Sequence, residues 1–184
     1  MTLAASGMIW RKKTVKKVIV IIGPNGVGKS TTAEILLEKC PRSAYVDADW
    51  CRAINPFPFT KETKAAVTEN IFCLFRNYLL CSDIDRVIFP YAFHGERKNI
   101  FDEVIRRLQE ENIEFKLHIL ILKCSLDENI KRAVHDRRGE ERIRRGIENT
   151  FHFYDAYETE CPVIDTTELT PEQAAEEIRR ATGF

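Results

Sequence analysis

An eight-residue segment, GPNGVGKS at positions 23–30, carries the most specific chemical pattern in the sequence. It satisfies G-x-x-x-x-G-K-[ST], in which glycines let backbone N–H groups surround a phosphate. In this pattern Lys29 reaches the β- and γ-phosphates and is a candidate catalytic residue, while Ser30 holds Mg²⁺. Chance produces the pattern in about one chain in 150 of this length. The segment predicts ATP and Mg²⁺ as cofactors, with these nucleotide-binding residues: Gly23, Asn25, Gly26, Val27, Gly28, Lys29, Ser30 and Thr31.

Two aspartates follow the second strand-like run as D-x-D, at Asp47 and Asp49. Alternate residues of an extended backbone share one side, so we expect both carboxylates to point into one cleft. Phosphoryl transfer needs such a carboxylate near the acceptor hydroxyl, because the protein contributes mainly position and charge. Arg52 completes D-x-D-x-x-R and suits an anionic or polar substrate group. The alternative is that all three are ordinary solvated side chains.

A basic segment, residues 131–145, holds seven Lys or Arg and three acids. Guanidinium groups that close over a transferring phosphoryl group stabilise its charge. The candidates are Arg132, Arg137, Arg138 and Arg142, and Gly139 beside Arg137 and Arg138 favours those two as mobile catalytic residues. A solvated helix face is the alternative, as for most charge runs.

Strand-like and helix-like segments alternate along the whole chain and would position these residues. The predicted strands are 17–22, 43–47, 86–89, 115–123 and 161–165. The predicted helices are 28–40, 61–80, 97–111, 126–135, much of 137–157, and a last one that begins at Thr170 and Pro171. Such alternation predicts a doubly wound α/β sandwich, whose ligands lie at the carboxyl ends of the strands. Residues 55–68 and 91–97 are therefore expected to build the acceptor pocket.

Composition excludes several classes of protein. The chain has 184 residues, 44% hydrophobic and 30% charged, which suits one globular domain. No apolar run approaches the roughly 20 residues of a membrane span. The 28 basic and 28 acidic residues cancel, which argues against a surface built for nucleic acid or anionic lipid. The six cysteines form no C-x-x-C pair, so reduced thiols in a cytoplasmic protein are expected.

The balanced charge conceals a polarised molecule. Residues 11–17 carry five basic side chains, and residues 131–145 carry a net charge of +4, so the rest of the chain is acidic. The sequence does not indicate the oligomeric state.

The chain resembles P-loop kinases of small molecules and nucleotides, the group that includes shikimate kinase, gluconate kinase, adenylylsulfate kinase and chloramphenicol phosphotransferase. The resemblance lies in GPNGVGKSTTAEIL (23–36), DADWCR (47–52), RAVHDRRGEER (132–142) and VIDTTELTPEQAAEEI (163–178). It implies a P-loop NTPase three-layer α/β/α sandwich, similar to nucleoside monophosphate kinases, with a mainly five-stranded parallel sheet. Residues 1–16 would be a tail, and 17–184 one kinase domain with a lid at 132–146.

The resemblance also implies transfer of the ATP γ-phosphate to a hydroxyl of a small molecule. Asp47 would organise Mg²⁺ through water, together with Ser30, and Asp49 would meet the acceptor hydroxyl. Residues 165–167 would approach the adenine.

The third strand runs into Pro90 and Tyr91 and lacks the metal-binding acid that many P-loop proteins have there. In this it resembles adenylylsulfate kinase, whose corresponding segment also ends in a proline and an aromatic residue. Tyr91, Phe93 and His94 either line the acceptor pocket or form the edge of the core. Two alternatives remain open: a kinase of nucleosides, nucleotides or a polynucleotide 5′ end, and a regulatory module that binds ATP without catalysis.

Overall fold

The computed structural model describes residues 15–93, 95–137, 139–141, 143–144, 146–148 and 161–183. Five strands lie in one sheet: β1 (Lys16–Ile22), β2 (Ser43–Tyr45), β3 (Arg86–Pro90), β4 (Phe115–Lys123) and β5 (Val163–Asp165). All neighbouring pairs are parallel, and the order across the sheet is β2-β3-β1-β4-β5. The five predicted strands are confirmed, with β2 and β5 each two residues shorter than expected.

The central strand β1 explains why its sequence is apolar without alternation. Val18 and Ile22 belong to the core on one face of the sheet, while Ile19 and Ile21 belong to the core on the other. Both faces of a parallel sheet are covered by helices, so every residue of such a strand is buried. All five residues from Val18 to Ile22 are 0% exposed.

Within the described residues, six helices with defined bounds connect or follow the strands: α1 (Lys29–Lys39), α2 (Ala48–Cys51), α3 (Lys61–Leu80), α4 (Glu96–Glu110), α5 (Leu126–His135) and α6 (Pro171–Thr182). Five of them were predicted, and the short helix α2 was not. Of the predicted helix 137–157, the residues that the structure describes between 140 and 148 are helical, while 149–160 lie outside the description.

Two apolar layers join the helices to the sheet. On one face, Phe75 of α3 and Val104 of α4 pack with Phe89 of β3. On the other, Leu36 of α1 and Ile178 of α6 pack with β-strand residues. The arrangement is the predicted three-layer sandwich.

The six cysteines are all free thiols. No helix within the described residues is long and apolar enough to cross a bilayer. Because β1, β2 and β3 are parallel neighbours, their carboxyl ends bring the glycine-rich loop, Asp47 and Tyr91 to the same edge of the sheet.

Candidate active site

The glycine-rich loop between β1 and α1 has a backbone that other residues could not adopt. Gly23 has φ +147°, and a Cβ placed there would lie 2.5 Å from the Leu122 carbonyl oxygen of the neighbouring strand. Gly26 and Gly28 have φ +89° and +99°, which also favour glycine. The loop is therefore held in shape by its own backbone and by β4.

The amino end of α1 keeps its backbone N–H groups available. Gly28 is the N-cap and supplies no side-chain hydrogen bond, and the first turn of α1 contains no acid. Each of α2 to α6, by contrast, has an acidic residue in its first turn. Unsatisfied N–H groups and a positive dipole end are what a phosphate needs at this place.

Lys29 lies folded over the loop. Its Nζ donates to the carbonyl oxygens of Gly23 and Pro24, at 2.8 Å each. The ammonium group is thereby held over the loop backbone, on the amino-terminal side of α1. A phosphate bound by the loop would meet this positive charge directly.

Two residues of α5, which is far from the loop in sequence, support the loop by direct hydrogen bonds. The sequence did not reveal their roles. Asn129 is 4% exposed, and its Nδ2 donates to the Asn25 carbonyl oxygen at 3.1 Å. Arg132 donates from Nη1 to the Val27 carbonyl oxygen at 3.2 Å and from Nη2 to the Thr166 carbonyl oxygen at 2.7 Å. A polar residue at a buried helix position was the only signal in the sequence that could have pointed to Asn129.

The expected extended backbone through Asp47 and Asp49 is wrong. β2 ends at Tyr45, and Asp47 is the N-cap of α2. Its Oδ1 accepts from the Asp49 N–H at 2.7 Å and from the Trp50 N–H at 3.4 Å. Asp is among the strongest N-cap residues, so local helix capping overrides the strand that alternation suggested. The two carboxylates thus differ in position: one caps the helix and the other lies in its first turn.

Tyr45, the last residue of β2, precedes Asp47 by two residues. Burial, together with the charges of Asp47 and Glu34, raises the pKa of Tyr45 to about 12, and the Ser30 side chain acts in the opposite direction. Although Ser30 is this close, no hydrogen bond of normal geometry joins them, and Tyr45 Oη is buried without a partner among the described atoms. Hydroxyl and carboxylate oxygens are ligands that Mg²⁺ prefers, so the residues fit the predicted metal site.

Asp49 and Arg52 form an ion pair across α2. Arg52 donates from Nε and Nη2 to Asp49 Oδ1, at 3.0 and 2.6 Å. Both bonds use one carboxylate oxygen, so Oδ2 remains accessible, and the Asp49 side chain is 80% exposed. Asn70 of α3 donates from Nδ2 to the Cys51 carbonyl oxygen at 2.9 Å, which fixes α2 in place. The arrangement can present a carboxylate oxygen to a substrate hydroxyl.

The aromatic residues after β3 belong mainly to the core. Tyr91 and Phe93 are 6% and 3% exposed, and the rings of Tyr91 and Phe89 stack with centroids 4.7 Å apart. Burial raises the pKa of Tyr91 to about 12, although the charges of Arg97 and Arg52 act in the opposite direction. Tyr91 directly follows β3, at the same edge of the sheet as the end of β2. His94 lies outside the described residues.

The predicted lid is described only in part. Arg137 is exposed, follows the C-cap residue Asp136 of α5 and has φ +54°, while Arg138 and Arg142 lie outside the described residues. Arg132, one of the four lid candidates from the sequence, has its guanidinium already bound to Glu128 and to the loop. An arginine fixed in this way supports the phosphate loop and does not close over it.

The loop from β5 to α6 is joined to the phosphate loop through Arg132, whose guanidinium donates to the carbonyl oxygens of both Thr166 and Val27. Thr167 donates from its hydroxyl and its N–H to Asp165 Oδ1, at 2.6 and 2.9 Å, and these bonds lower the pKa of Asp165. The Thr167 hydroxyl also accepts from the Ser125 N–H at 2.9 Å, which ties the loop to α5. The predicted adenine contact at 165–167 remains a prediction.

Comparisons with known proteins agree with this architecture. The model of the AAA domain family matches residues 19–152. No curated protein sequence matches the chain.

Three solved structures illustrate the likeness in fold. The tunicamycin resistance protein of Deinococcus radiodurans is 20% identical, with a TM-score of 0.66 over 92% of this chain and 96% of its own. A shikimate kinase from Acinetobacter baumannii, solved with shikimate, is 16% identical, with a TM-score of 0.60 over 92% and 93%. A gluconokinase from Sinorhizobium meliloti 1021 is 14% identical, with a TM-score of 0.58 over 93% and 96%. The sandwich fold described above is the fold of these P-loop proteins.

Proposed function

Because this chain belongs to the AAA domain family, we propose that it is an ATP- and Mg²⁺-dependent phosphotransferase whose acceptor is a hydroxyl of a small molecule. One observation carries the proposal: Asp49 presents an accessible carboxylate oxygen at the strand end beside a complete phosphate-binding loop. Two proteins of similar fold are named shikimate kinase and gluconokinase, and these names support the same kind of acceptor.

The phosphate end of the proposed site consists of the loop and the start of α1. Backbone N–H groups around Gly26 to Ser30 would bind the β-phosphate, and Lys29 would exchange its bonds to Gly23 and Pro24 for phosphate oxygens. Ser30 and Asp47 would hold Mg²⁺, directly or through water. When bound, the metal would neutralise charge on the β- and γ-phosphates.

The acceptor end would position the hydroxyl. Asp49 Oδ2 accepts the hydrogen bond of the acceptor and takes its proton as the phosphoryl group moves. Arg52 keeps the Asp49 carboxylate oriented, and the Tyr91 hydroxyl borders the same space. We propose the segment 132–146 as a lid within the domain 17–184, with Arg137 and Arg138 as the side chains that close over the phosphates.

We also propose that the reaction takes place in the cytoplasm. Three of the six free cysteines are buried and three are partly buried, and none pairs with another. Thiols that persist in this form are typical of a reducing compartment.

The test is incubation of the protein with γ-labelled ATP, Mg²⁺ and a fractionated metabolite extract. We expect labelled product in at least one fraction. Absence of product in every fraction, from folded protein that binds ATP, would refute the proposal.

A substitution tests the role of the carboxylate. We expect Asp49→Asn to lower transfer several hundredfold, because general-base loss costs about 10²–10⁴, while the affinity for ATP stays within twofold of the original. Asp83→Asn, the same change at an exposed aspartate that precedes the amino end of β3, serves as the control. Transfer that survives in Asp49→Asn would show that another group receives the proton.

A regulatory module that binds ATP without transfer is the second candidate. The observation in its favour is that β3 ends at Pro90 and is followed by Tyr91, with no carboxylate at that place. Calorimetric titration of ATP with and without the active metabolite fraction separates the two candidates. A module would show no coupling between nucleotide and acceptor.

A further inference from the structure

A third charged side chain stands beside the Asp49–Arg52 pair. Arg97 is the second residue of α4, the helix that follows the carboxyl end of β3. Its side chain is half-buried. Burial lowers the pKa of Arg97, the Arg52 guanidinium lowers it further, and Tyr91 and Asp49 act in the opposite direction. The contacts of α3 agree with this: Lys64 pairs with Glu96 at 3.3 Å, and Asn70 donates to the Cys51 carbonyl oxygen at 2.9 Å. The start of α4 and helix α2 therefore pack against the same helix, at the carboxyl ends of β2 and β3.

Arg97 differs from the other basic residues of α4. Lys98 pairs with Asp102 at 2.7 Å, Arg106 with Glu103 at 2.6 Å, and Arg107 with Glu69 at 2.8 Å. Among the described residues, Arg97 forms neither an ion pair nor a hydrogen bond through its guanidinium. The exception therefore lies where the proposed acceptor binds.

The charges at this place do not balance. Arg52 and Arg97 bring two positive charges, and within the part of the chain that the structure describes the only carboxylate that acts on Arg97 is that of Asp49, which Arg52 already engages. A partly buried guanidinium is retained at a cost unless an anion pairs with it, and a neighbouring like charge increases that cost. The missing partner is one further negative charge.

We propose that the acceptor is a hydroxylated compound that carries a carboxylate or a phosphate group, and that Arg52 and Arg97 bind this group together. The assignment rests on the proposed kinase activity. Arginine suits the role because its planar fork donates two parallel hydrogen bonds to either anion. Asp49 Oδ2 would hold the hydroxyl while the two arginines hold the anionic end, which fixes the acceptor at two points.

The first experiment divides the metabolite extract on an anion-exchange resin at neutral pH. Each pool is incubated with γ-labelled ATP and Mg²⁺. We expect the acceptor in the retained pool. Transfer only to compounds in the unretained pool would overturn the inference and leave the kinase activity established.

Variants then test the residue. We expect Arg97→Gln to raise the KM for the retained acceptor roughly 10-fold or more, because a hydrogen bond to a charged group contributes about 1.5–3 kcal/mol, and to leave the KM for ATP unchanged. Arg97→Lys keeps the charge but loses the planar fork, so its KM for the acceptor should lie between the values of the wild type and Arg97→Gln. Arg106→Gln, farther along α4, is the control. An unchanged acceptor KM in Arg97→Gln would overturn the assignment.

A binding measurement decides the matter without any transfer. Trp50 lies between Asp49 and Arg52 and is 80% exposed, and Trp10→Phe would make it the single tryptophan of the chain. With a non-hydrolysable ATP analogue occupying the loop, inorganic phosphate should change Trp50 fluorescence saturably, and Arg97→Gln should abolish the change. No saturable change, or the same change in the variant, would refute the anion site. Saturable binding without transfer to any metabolite would instead refute the proposed kinase.

Discussion

The two ends of the candidate site are built in different ways. The phosphate end consists of backbone: positive-φ glycines, uncapped N–H groups of α1, and carbonyl oxygens held by α5. The acceptor end consists of side chains on the four-residue helix α2, where Asp49 and Trp50 are each 80% exposed. The first end is therefore fixed before any ligand arrives, whereas the second can change with little cost to the fold.

The hydrogen bonds at the two ends also differ in reach. Asn129 and Arg132 contact the loop across 104 and 105 residues of sequence. The Asp47 and Arg52 bonds at α2 span two or three residues, and among the side-chain bonds of the described residues at α2 only the one from Asn70 reaches farther, across 19 residues. A site whose acceptor end is local and exposed can vary in substrate while its phosphate end stays the same.

The largest effect is expected at the phosphate end. Lys29→Met removes the one loop side chain that can follow the charge of the γ-phosphate, and we expect transfer to fall by roughly 10³-fold, as for other electrostatic stabilisers of a transition state. Lys39→Met, in the last turn of the same helix, is the matched control. Circular dichroism checks that both variants fold. A Lys29→Met enzyme with near-normal transfer would mean that the loop binds phosphate without assisting its transfer.

Asp47 belongs to both ends, and two substitutions separate its roles. Asn is as good an N-cap as Asp, so Asp47→Asn should keep α2 while raising the Mg²⁺ concentration needed for half-maximal transfer about 10- to 100-fold. Asp47→Ala should show the same metal effect and in addition lower the free energy of unfolding by about 1 kcal/mol. Equal Mg²⁺ dependence in the wild type and Asp47→Asn would restrict Asp47 to capping.

The difference between the ends explains what the sequence could predict. The loop was predicted residue by residue, because its geometry needs glycine at fixed spacing and that requirement is local. The strands were predicted because both faces of the sheet are buried, which makes β1 and β4 continuous apolar runs.

The acceptor end was predicted less well for physical reasons. Alternation suggested a strand through Asp47, but one side-chain oxygen bound to two backbone N–H groups is enough to start a helix there. The charges beside Arg97 depend on how β3, α2 and α4 meet, which no local pattern encodes. Likewise, only the packing of α5 on the loop distinguishes Arg132 as a support from the exposed Arg137.

Two asparagines give a matched test of the two ends. Asn129 donates to a carbonyl oxygen of the phosphate loop, and Asn70 donates to a carbonyl oxygen of α2. Asn129→Ala should weaken ATP binding roughly 10-fold and lower the free energy of unfolding by about 1–3 kcal/mol, because it leaves the Asn25 carbonyl unsatisfied. Asn70→Ala should raise the KM for the acceptor a few-fold and leave ATP binding unchanged. Isothermal titration and steady-state kinetics measure both. If either variant affects both ligands equally, the two ends are mechanically coupled.

The smallest effect is expected at the loop after β5, where side chains again support the phosphate end. Hydrogen bonds from Thr167 lower the pKa of Asp165, so this ionised carboxylate stabilises the folded state above its unfolded pKa of about 4. That contribution disappears as the pH falls through the folded pKa. Thr167→Val should therefore raise the pKa of Asp165, measured by NMR titration, and lower stability at pH 7 by less than about 1 kcal/mol because the pair is exposed.

Urea unfolding at two pH values completes this test. The stability difference between the wild type and Thr167→Val should shrink from pH 7 to about pH 3, since Asp165 is then increasingly protonated in both proteins. What persists at low pH belongs to the lost bond from the Ser125 N–H to the Thr167 hydroxyl, which does not titrate. Thr167→Ser keeps both bonds and should behave as the wild type. A stability difference that does not depend on pH would mean that Thr167 stabilises the protein only through its bond to the Ser125 N–H at the start of α5. The charge of Asp165 would then not contribute to the stability of this loop.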